Sequence, residues 1–359
     1  MINSHQKNTR NESWLSGIIL NDCSKIVSEI DFTPLRGKTV LLTGSNGFLG
    51  RYIVYTIYLA NKIKKIHCRL YCASLHAPNK DIEAISKMDK MIKPMVVDLS
   101  RDFKLTKKVD FIFHAAGYGQ PRKFLGNKTS TVSTNVLATM KLLETAKKFG
   151  SRFLFFSAAE TYGDVPKKYL PVKEDYNGNV STQDERAVYR ESKRLGETIL
   201  SMYRKDFGVR TYIARISHIY GPGNPRDDKR VLSEFIRKAF TEGRIELMDT
   251  GKSIKTWGYI GDITKMLFNI IFFGTQSVYN VGGTDTLSIR KMAEKVGMIA
   301  GVSVVIPEKD STLSHIGSDP SIIKLSLSRY IKEFGDPIST GITEGLRRTV
   351  DWTKSEYYS

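Results

Sequence analysis

The stretch KTVLLTGSNGFLGRYIV, residues 38–54, limits the architecture more than any other part of the chain. A short apolar run reads as a buried strand, Gly44, Gly47 and Gly50 make a GxxGxxG turn, and an apolar helix follows at once. A pyrophosphate needs backbone amides close by at the positive end of a helix, with no Cβ in the way. The third glycine lets the helix pack tightly on the strand. This context points to a dinucleotide site, whereas a glycine triplet alone would equally fit a tight turn without a ligand.

Short apolar strands then alternate with helices. HCRLYCAS, KPMVVDL, DFIFHAAG, RFLFFS and RTYIARIS read as strands, NVLATMKLLETAKKFG as a helix, and Asp184 to Phe207 as a long one. The pattern predicts an α/β fold, a Rossmann-type doubly wound parallel sheet with a smaller C-terminal substrate-binding lobe. Expected boundaries are an extension at 1–37 and a dinucleotide-binding domain at 38–216, with a return segment near 255–281. The smaller lobe is expected at 217–254 and 282–359. The extension carries one amphipathic stretch, ESWLSGIILNDCSKIVSEI, that reads as one or two helices.

The net charge of +18 raises a nucleic-acid reading, but the lysines are spread over helix faces and loops. A solvated surface is the better account, and the excess suits a small polyanion such as a nucleoside diphosphate. The three cysteines form no CxxC pair, and Cys68 and Cys72 share a strand face as core residues. The six histidines form no HExxH or HxxxH unit, so no metal is expected. No apolar run reaches the ~18 residues of a membrane span, and no cleavable leader is evident. The expected setting is cytoplasmic, with no membrane and no nucleic acid as partners.

YRESK places Tyr189 and Lys193 four apart, on one helix face. Val188, Leu195, Ile199 and Met202 follow helical apolar spacing and are expected to bury the neighbouring stripe. An ammonium beside a phenol favours the phenolate. Such a tyrosine can take a proton from a sugar hydroxyl while a nicotinamide removes hydride from the same carbon. The second strand ends in Ser74, with His76 and Lys80 beyond and no carboxylate to hold a ribose, which leaves NAD against NADP open. Asp98 is read evenly as an adenine contact or a helix N-cap.

From Lys38 to about Trp352 the chain resembles the extended short-chain dehydrogenase/reductase family, in particular its nucleotide-sugar epimerases, dehydratases and decarboxylases. The resemblance rests on TGSNGFLG, VVDL, HAAG, TNVLAT with Asn135, AETYG, YRESKRLGE, RISHIYGPG and YNVGG. It implies NAD on Gly44, Asn46, Gly47, Phe48, Leu49, Gly50, Asp98, Leu99, Ala115, Ala116 and Gly117. It also implies Tyr189 as base, Lys193 on the nicotinamide ribose, and a structural His114. A nucleoside-diphosphate sugar, with UDP favoured, is expected on Tyr118, His218, Arg230 and Lys255. His218 reads equally as a packed strand-end histidine. A homodimer is implied, paired through the 135–150 helix and the Tyr189 helix; Val136, Met140, Leu143 and Ala146 form a stripe that serves the interface or the core.

The segment FFSAAETYG departs from the family at Ala158, where a Ser or Thr usually hydrogen-bonds the reacting hydroxyl. Three accounts follow: Tyr189 works alone, helped by water or Ser157; the chain is a silent dinucleotide-binding sensor; or the alanine was introduced to hold substrate. The otherwise intact apparatus favours the last. Ala159 cannot donate a proton, which disfavours dehydration. Glu160 is kept as in the UDP-glucuronate decarboxylases, or simply caps the following turn. Those decarboxylases carry arginine where Lys255 stands, and lysine lacks the planar fork that grips a carboxylate. A 4-epimerase, acting by transient C4 oxidation, makes the fewest demands on these residues.

Overall fold

Seven strands form one all-parallel sheet in the order β10-β6-β5-β4-β1-β2-β3, in a computed structural model that describes residues 16–101, 103, 107–308 and 321–358. The strands are β1 (Thr39–Thr43), β2 (Arg69–Ser74), β3 (Ile92–Val96), β4 (Phe111–His114), β5 (Arg152–Ala158), β6 (Arg210–Ile216) and β10 (Val278–Val281). Helices cover both faces, so β1, β4 and β5 are almost wholly buried and need no polar alternation. The order reverses beside β1, where a crevice opens at the carboxyl ends of the strands.

Residues 1–15 of the expected extension lie outside the described residues. The amphipathic stretch forms helix α1 (Gly17–Glu29), capped by the Ser16 side chain and buried through Ile19, Asp22, Cys23, Ile26 and Val27. Helix α2 (Phe48–Lys64) leaves the glycine turn and is buried along most of its length. The smaller sheet holds β9 (Ile254–Tyr259) between β11 (Asp285–Ser288) and β13 (Ile322–Ile323), with β7 (His218–Tyr220) also on β9. Thus β9, at the start of the 255–281 stretch, pairs in the smaller sheet, and the chain rejoins the larger one at β10.

The tyrosine helix starts at Ala187, three residues later than its periodicity suggests. Asp184 Oδ1 accepts from the Arg186 amide at 2.7 Å, a local turn that competes with helix. Two apolar stripes also land differently. Val136, Leu143 and Ala146 are core, while Met140 is exposed. Ile199 is buried, but Leu195 and Met202 are 48% and 40% exposed, so those two leave the stripe they were expected to bury. Cys68 and Cys72 are buried. Among the described residues no helix is long and apolar enough to cross a membrane, and no cluster of His, Cys, Asp or Glu fits a metal.

Candidate active site

The glycine turn lies directly on the end of β4. Gly44 has φ of 72°, and a Cβ there would come within 2.8 Å of the Ala115 carbonyl and the Ala116 nitrogen. A Cβ on Gly50 would sit 2.2 Å from the Gly44 oxygen and 2.7 Å from the Ser45 oxygen. Both neighbours are backbone and cannot swing aside. Gly50→Ala is therefore expected to cost about 3 kcal/mol or more of stability and to weaken NAD binding about tenfold, read by thermal melting and NAD titration.

His114 is fully buried. Its Nδ1 shares a 2.8 Å hydrogen bond with Thr43 Oγ1, and its Nε2 lies 3.3 Å from the Thr134 carbonyl. Burial, then the Lys193 charge, lowers it to about 3, so it is a neutral brace for the strand end. Thr43 Oγ1 accepts from the Ala116 amide at 3.1 Å. Asn46 spends its side chain on the loop beyond β2, donating to the Ala77 carbonyl at 2.7 Å and accepting from the Asn79 amide. Ser74 donates to the His76 carbonyl at 2.7 Å. Asp98 Oδ1 accepts from the Ser100 amide and hydroxyl, and Oδ2 pairs with Arg101 at 3.1 Å; the Ser100 hydroxyl bond leads in lowering its pKa. Leu99 beside it is buried.

The tyrosine and lysine sit over this end of the sheet. Lys193 is buried, donates to the Phe156 carbonyl at 2.7 Å, and faces the Phe155 ring at 4.6 Å. A Cβ at Gly117 would lie 3.7 Å from Lys193 Nζ and 3.2 Å from Asn135 Oδ1. That amide oxygen is buried with no hydrogen-bond partner among the described residues, while Asn135 Nδ2 holds Ser192 Oγ at 2.9 Å. An orphaned acceptor, an ammonium and a glycine cradle at one strand end suit the ribose, pyrophosphate and amide of a dinucleotide.

Tyr189 stacks on Phe124 at 4.7 Å between ring centroids and clusters with Ala158, with Tyr118 and Val188 packed beside them. The expected acidification of its phenol is not what its surroundings produce. Burial in this apolar cluster raises its pKa, Glu160 adds to the rise, and Arg186 and Arg230 oppose it. Lys193 itself is lowered to about 7, chiefly by burial and against the pull of Glu197.

Glu160 is engaged too. Its Oε1 accepts from Arg186 Nη2 at 2.8 Å, and its Oε2 lies 3.6 Å from Arg190 Nε. It is the centre of a buried ion cluster rather than a turn cap. Arg186 and Arg190, three residues before Tyr189 and one after, carry no mark in the sequence that separates them from surface charges. Ser157 cannot stand in for the missing hydroxyl, because it points to the other sheet face and donates to Glu197 at 2.5 Å. Arg215 grips the same glutamate at 2.6 Å.

On the opposite wall, Arg230 faces the Phe48 ring at 5.8 Å and is held by Asp228 at 2.6 Å and Asn224 at 3.0 Å. Lys255 is buried on β9, two residues before Trp257, whose ring lies 5.5 Å from that of His218. His218 is thus packed against an aromatic on the neighbouring strand.

Comparison with known proteins shows the family and the fold. The sequence profile of the NAD dependent epimerase/dehydratase family matches residues 40–282. UDP-glucuronic acid decarboxylase 1 of Arabidopsis thaliana is 32% identical over 243 residues, 68% of this chain and 54% of that protein, so the chain spans about half of its length. UDP-glucuronic acid decarboxylase 6 of the same plant is 29% identical over 310 residues, 86% of each chain. Among solved structures, a mutant UDP-glucuronic acid 4-epimerase from Bacillus cereus, in complex with UDP-4-deoxy-4-fluoro-glucuronic acid and NAD, superposes with a TM-score of 0.75. It is 20% identical, and the match covers 89% of this chain and all of that one.

Proposed function

The chain belongs to the NAD dependent epimerase/dehydratase family, and from that premise we propose that it modifies a nucleoside-diphosphate hexose, a UDP-sugar by preference, through transient oxidation at C4. Bound NAD supplies the hydride acceptor and, later in the same turnover, the hydride donor. Gly44, Gly47 and Gly50 would hold its pyrophosphate, with Phe48, Leu49, Asp98, Leu99 and Ala115 to Gly117 around it. Lys193 and Asn135 would hold the nicotinamide ribose. Tyr189 takes the proton from the sugar 4-hydroxyl and returns it when the carbonyl is reduced. Tyr118, His218, Arg230 and Lys255 would line the sugar diphosphate side, where two cations suit a diphosphate.

The observation that carries this reading is the Lys193 ammonium and the orphaned Asn135 oxygen beside Gly117, just past β4 and next to the glycine turn, with Tyr189 four residues before that lysine on the same helix. Epimerisation at C4 is the simplest outcome. Ala159 carries no acid, and Glu160 is bonded to Arg186 and lies beside Arg190, which disfavours dehydration. Decarboxylation is the second reading, favoured by the relatives' names. In it, oxidation of a glycuronate gives a β-keto acid that loses CO2, and the hydride then returns to the remaining pentose ketone.

NMR of products decides between them. Incubated with UDP-glucose and UDP-glucuronate, the holoenzyme is expected to yield the C4 epimer without net NADH, and a UDP-pentose with CO2 would establish the second reading. No turnover of any UDP-, GDP-, CDP- or dTDP-sugar, with NAD bound, would favour the sensor.

We further read the protein as a homodimer. Val132, Leu137 and Met140 on one helix run and Leu195, Met202 and Phe207 on the tyrosine helix are exposed apolar side chains. A helix face of this kind is suited to a partner copy.

A further inference from the structure

Helix α1 precedes the glycine-turn strand, yet it touches both halves of the molecule. Asp22, with a side chain only 3% exposed, is where they meet. Its Oδ2 accepts from Tyr52 Oη at 2.9 Å, on helix α2 directly after the glycine turn, and from Tyr259 Oη at 2.5 Å, at the end of β9. Its Oδ1 accepts from Arg348 Nη1 at 2.7 Å, on the last helix, Ile342–Tyr357. Three separate elements thus converge on one carboxylate.

The N-terminal end of the same helix reaches the turn after β7. A Cβ on Gly223 would lie 3.4 Å from Ile19 Cδ1, 3.7 Å from Arg51 Nη1 and 3.7 Å from Phe48 Cδ2. Arg51 Nη1 donates to the Gly223 carbonyl at 3.0 Å, and Tyr357 Oη donates to the Asn224 carbonyl at 2.8 Å. Asn224 in turn accepts from Arg230. Hence α1 abuts the turn that braces Arg230, and through Tyr259 it holds the strand that carries Lys255. Glu29 adds a tie to Lys265 at 2.5 Å, on the helix that follows β9.

We propose that Asp22 is a positioning residue for the substrate side of the cleft, fixing the 221–230 segment and β9 against the glycine-turn helix so that Arg230 and Lys255 face the substrate diphosphate. The assignment of those two cations to the diphosphate rests on the function proposed above. Asp22 touches no part of the site itself and acts on β9 through Tyr259 and on the last helix through Arg348, and Tyr357 of that helix donates to Asn224 in the 221–230 turn. Its removal leaves the buried Tyr52 and Tyr259 hydroxyls without this acceptor and cuts Arg348 back to its Glu344 contact, and the natural relief is for β9 and the 221–230 turn to drift from α2. The glycine turn keeps its own anchors, the Gly47 amide on the Gly44 carbonyl and the Arg51–Asp81 pair at 2.7 Å.

The test uses the full-length NAD-loaded protein with Asp22→Ala, Tyr259→Phe, which cuts only the β9 arm, and Lys25→Ala on the same helix as a control. Amide hydrogen exchange is expected to rise at least tenfold across 221–230 and 254–259 in Asp22→Ala, while 44–52 stays protected. UDP-glucose binding by calorimetry should weaken about tenfold, with NAD affinity within about twofold and kcat at saturating sugar changed far less than KM. Tyr259→Phe should give the same pattern, smaller and confined to 254–259, and Lys25→Ala none of it. A fall in melting temperature with unchanged exchange in both segments overturns the proposal, as does an equal loss of NAD affinity. If the wild-type protein binds no nucleotide sugar, the function reading fails, and the exchange data still decide whether Asp22 positions these segments.

Discussion

Tyr189→Phe is expected to reduce turnover about a thousandfold while the protein folds and binds NAD as before. The stacked ring against Phe124 survives the substitution, since only the hydroxyl is removed. Melting temperature should therefore stay within a few degrees. The described hydroxyls at the end of β5 do not replace the lost base: Ala158 has none, Ser157 donates to Glu197, and Thr161 donates to the Ala158 carbonyl at 2.8 Å. Glu160 is held by Arg186 and Arg190. Product NMR with a nucleotide sugar, beside an NAD titration, checks both halves of the expectation. Residual activity within tenfold of wild type would move the proton transfer to another group.

The pH dependence of that reaction follows from the same surroundings. Burial and the Glu160 charge raise the Tyr189 phenol, so its work as a base depends on help from positive charge. Arg186 and Arg230 supply part of that help. The Lys193 ammonium is lowered to about 7 by burial, below its unfolded range. The unfolded chain thus binds the proton that the native lysine releases, and this group's contribution to stability rises as pH climbs from about 7 toward the ordinary lysine range.

The sheet, its glycine turn and the helix carrying Tyr189 were legible because each rests on local pattern. VLLT has to be buried on both faces, and Gly44 and Gly50 leave no room for side chains. What the sequence concealed depends on contacts distant in the chain. Arg186 and Arg190 look like any solvated charges until β5 ends beneath them with Glu160. Asp22 looks like a polar interruption in an amphipathic helix until Tyr52, Tyr259 and Arg348 close over it. The stripe at Leu195 and Met202 has helical spacing, but spacing cannot say whether the neighbour is this chain's core or a second copy. The phenol's pKa could not be read either. The YRESK spacing puts an ammonium on the same helix face, but whether that charge or burial dominates is set by Phe124 and Ala158, from two other elements.

Ala158→Ser is expected to raise kcat roughly ten- to hundredfold with little change in KM. Removing one well-placed donor to a developing charge typically costs about 3 kcal/mol of transition-state stabilisation, so restoring one should recover much of it. The geometry favours recovery. Residue 158 is the last of β5, and strand alternation turns its side chain away from Glu197 and toward Phe124 and Tyr189. The same substitution should lower stability, because a hydroxyl in that apolar cluster loses water without a sure partner, at about 1–2 kcal/mol. Its melting temperature should drop by about 2–4 °C, and bound sugar should reverse part of the drop by giving the hydroxyl a partner. The two readouts together sort the accounts of the alanine. Faster turnover with a cooler melt means the chain has a complete apparatus lacking one donor. An unchanged rate with a cooler melt means Tyr189 works without that donor, and Ala158 serves packing. A protein that binds NAD yet turns over nothing, as alanine or as serine, is the silent binder.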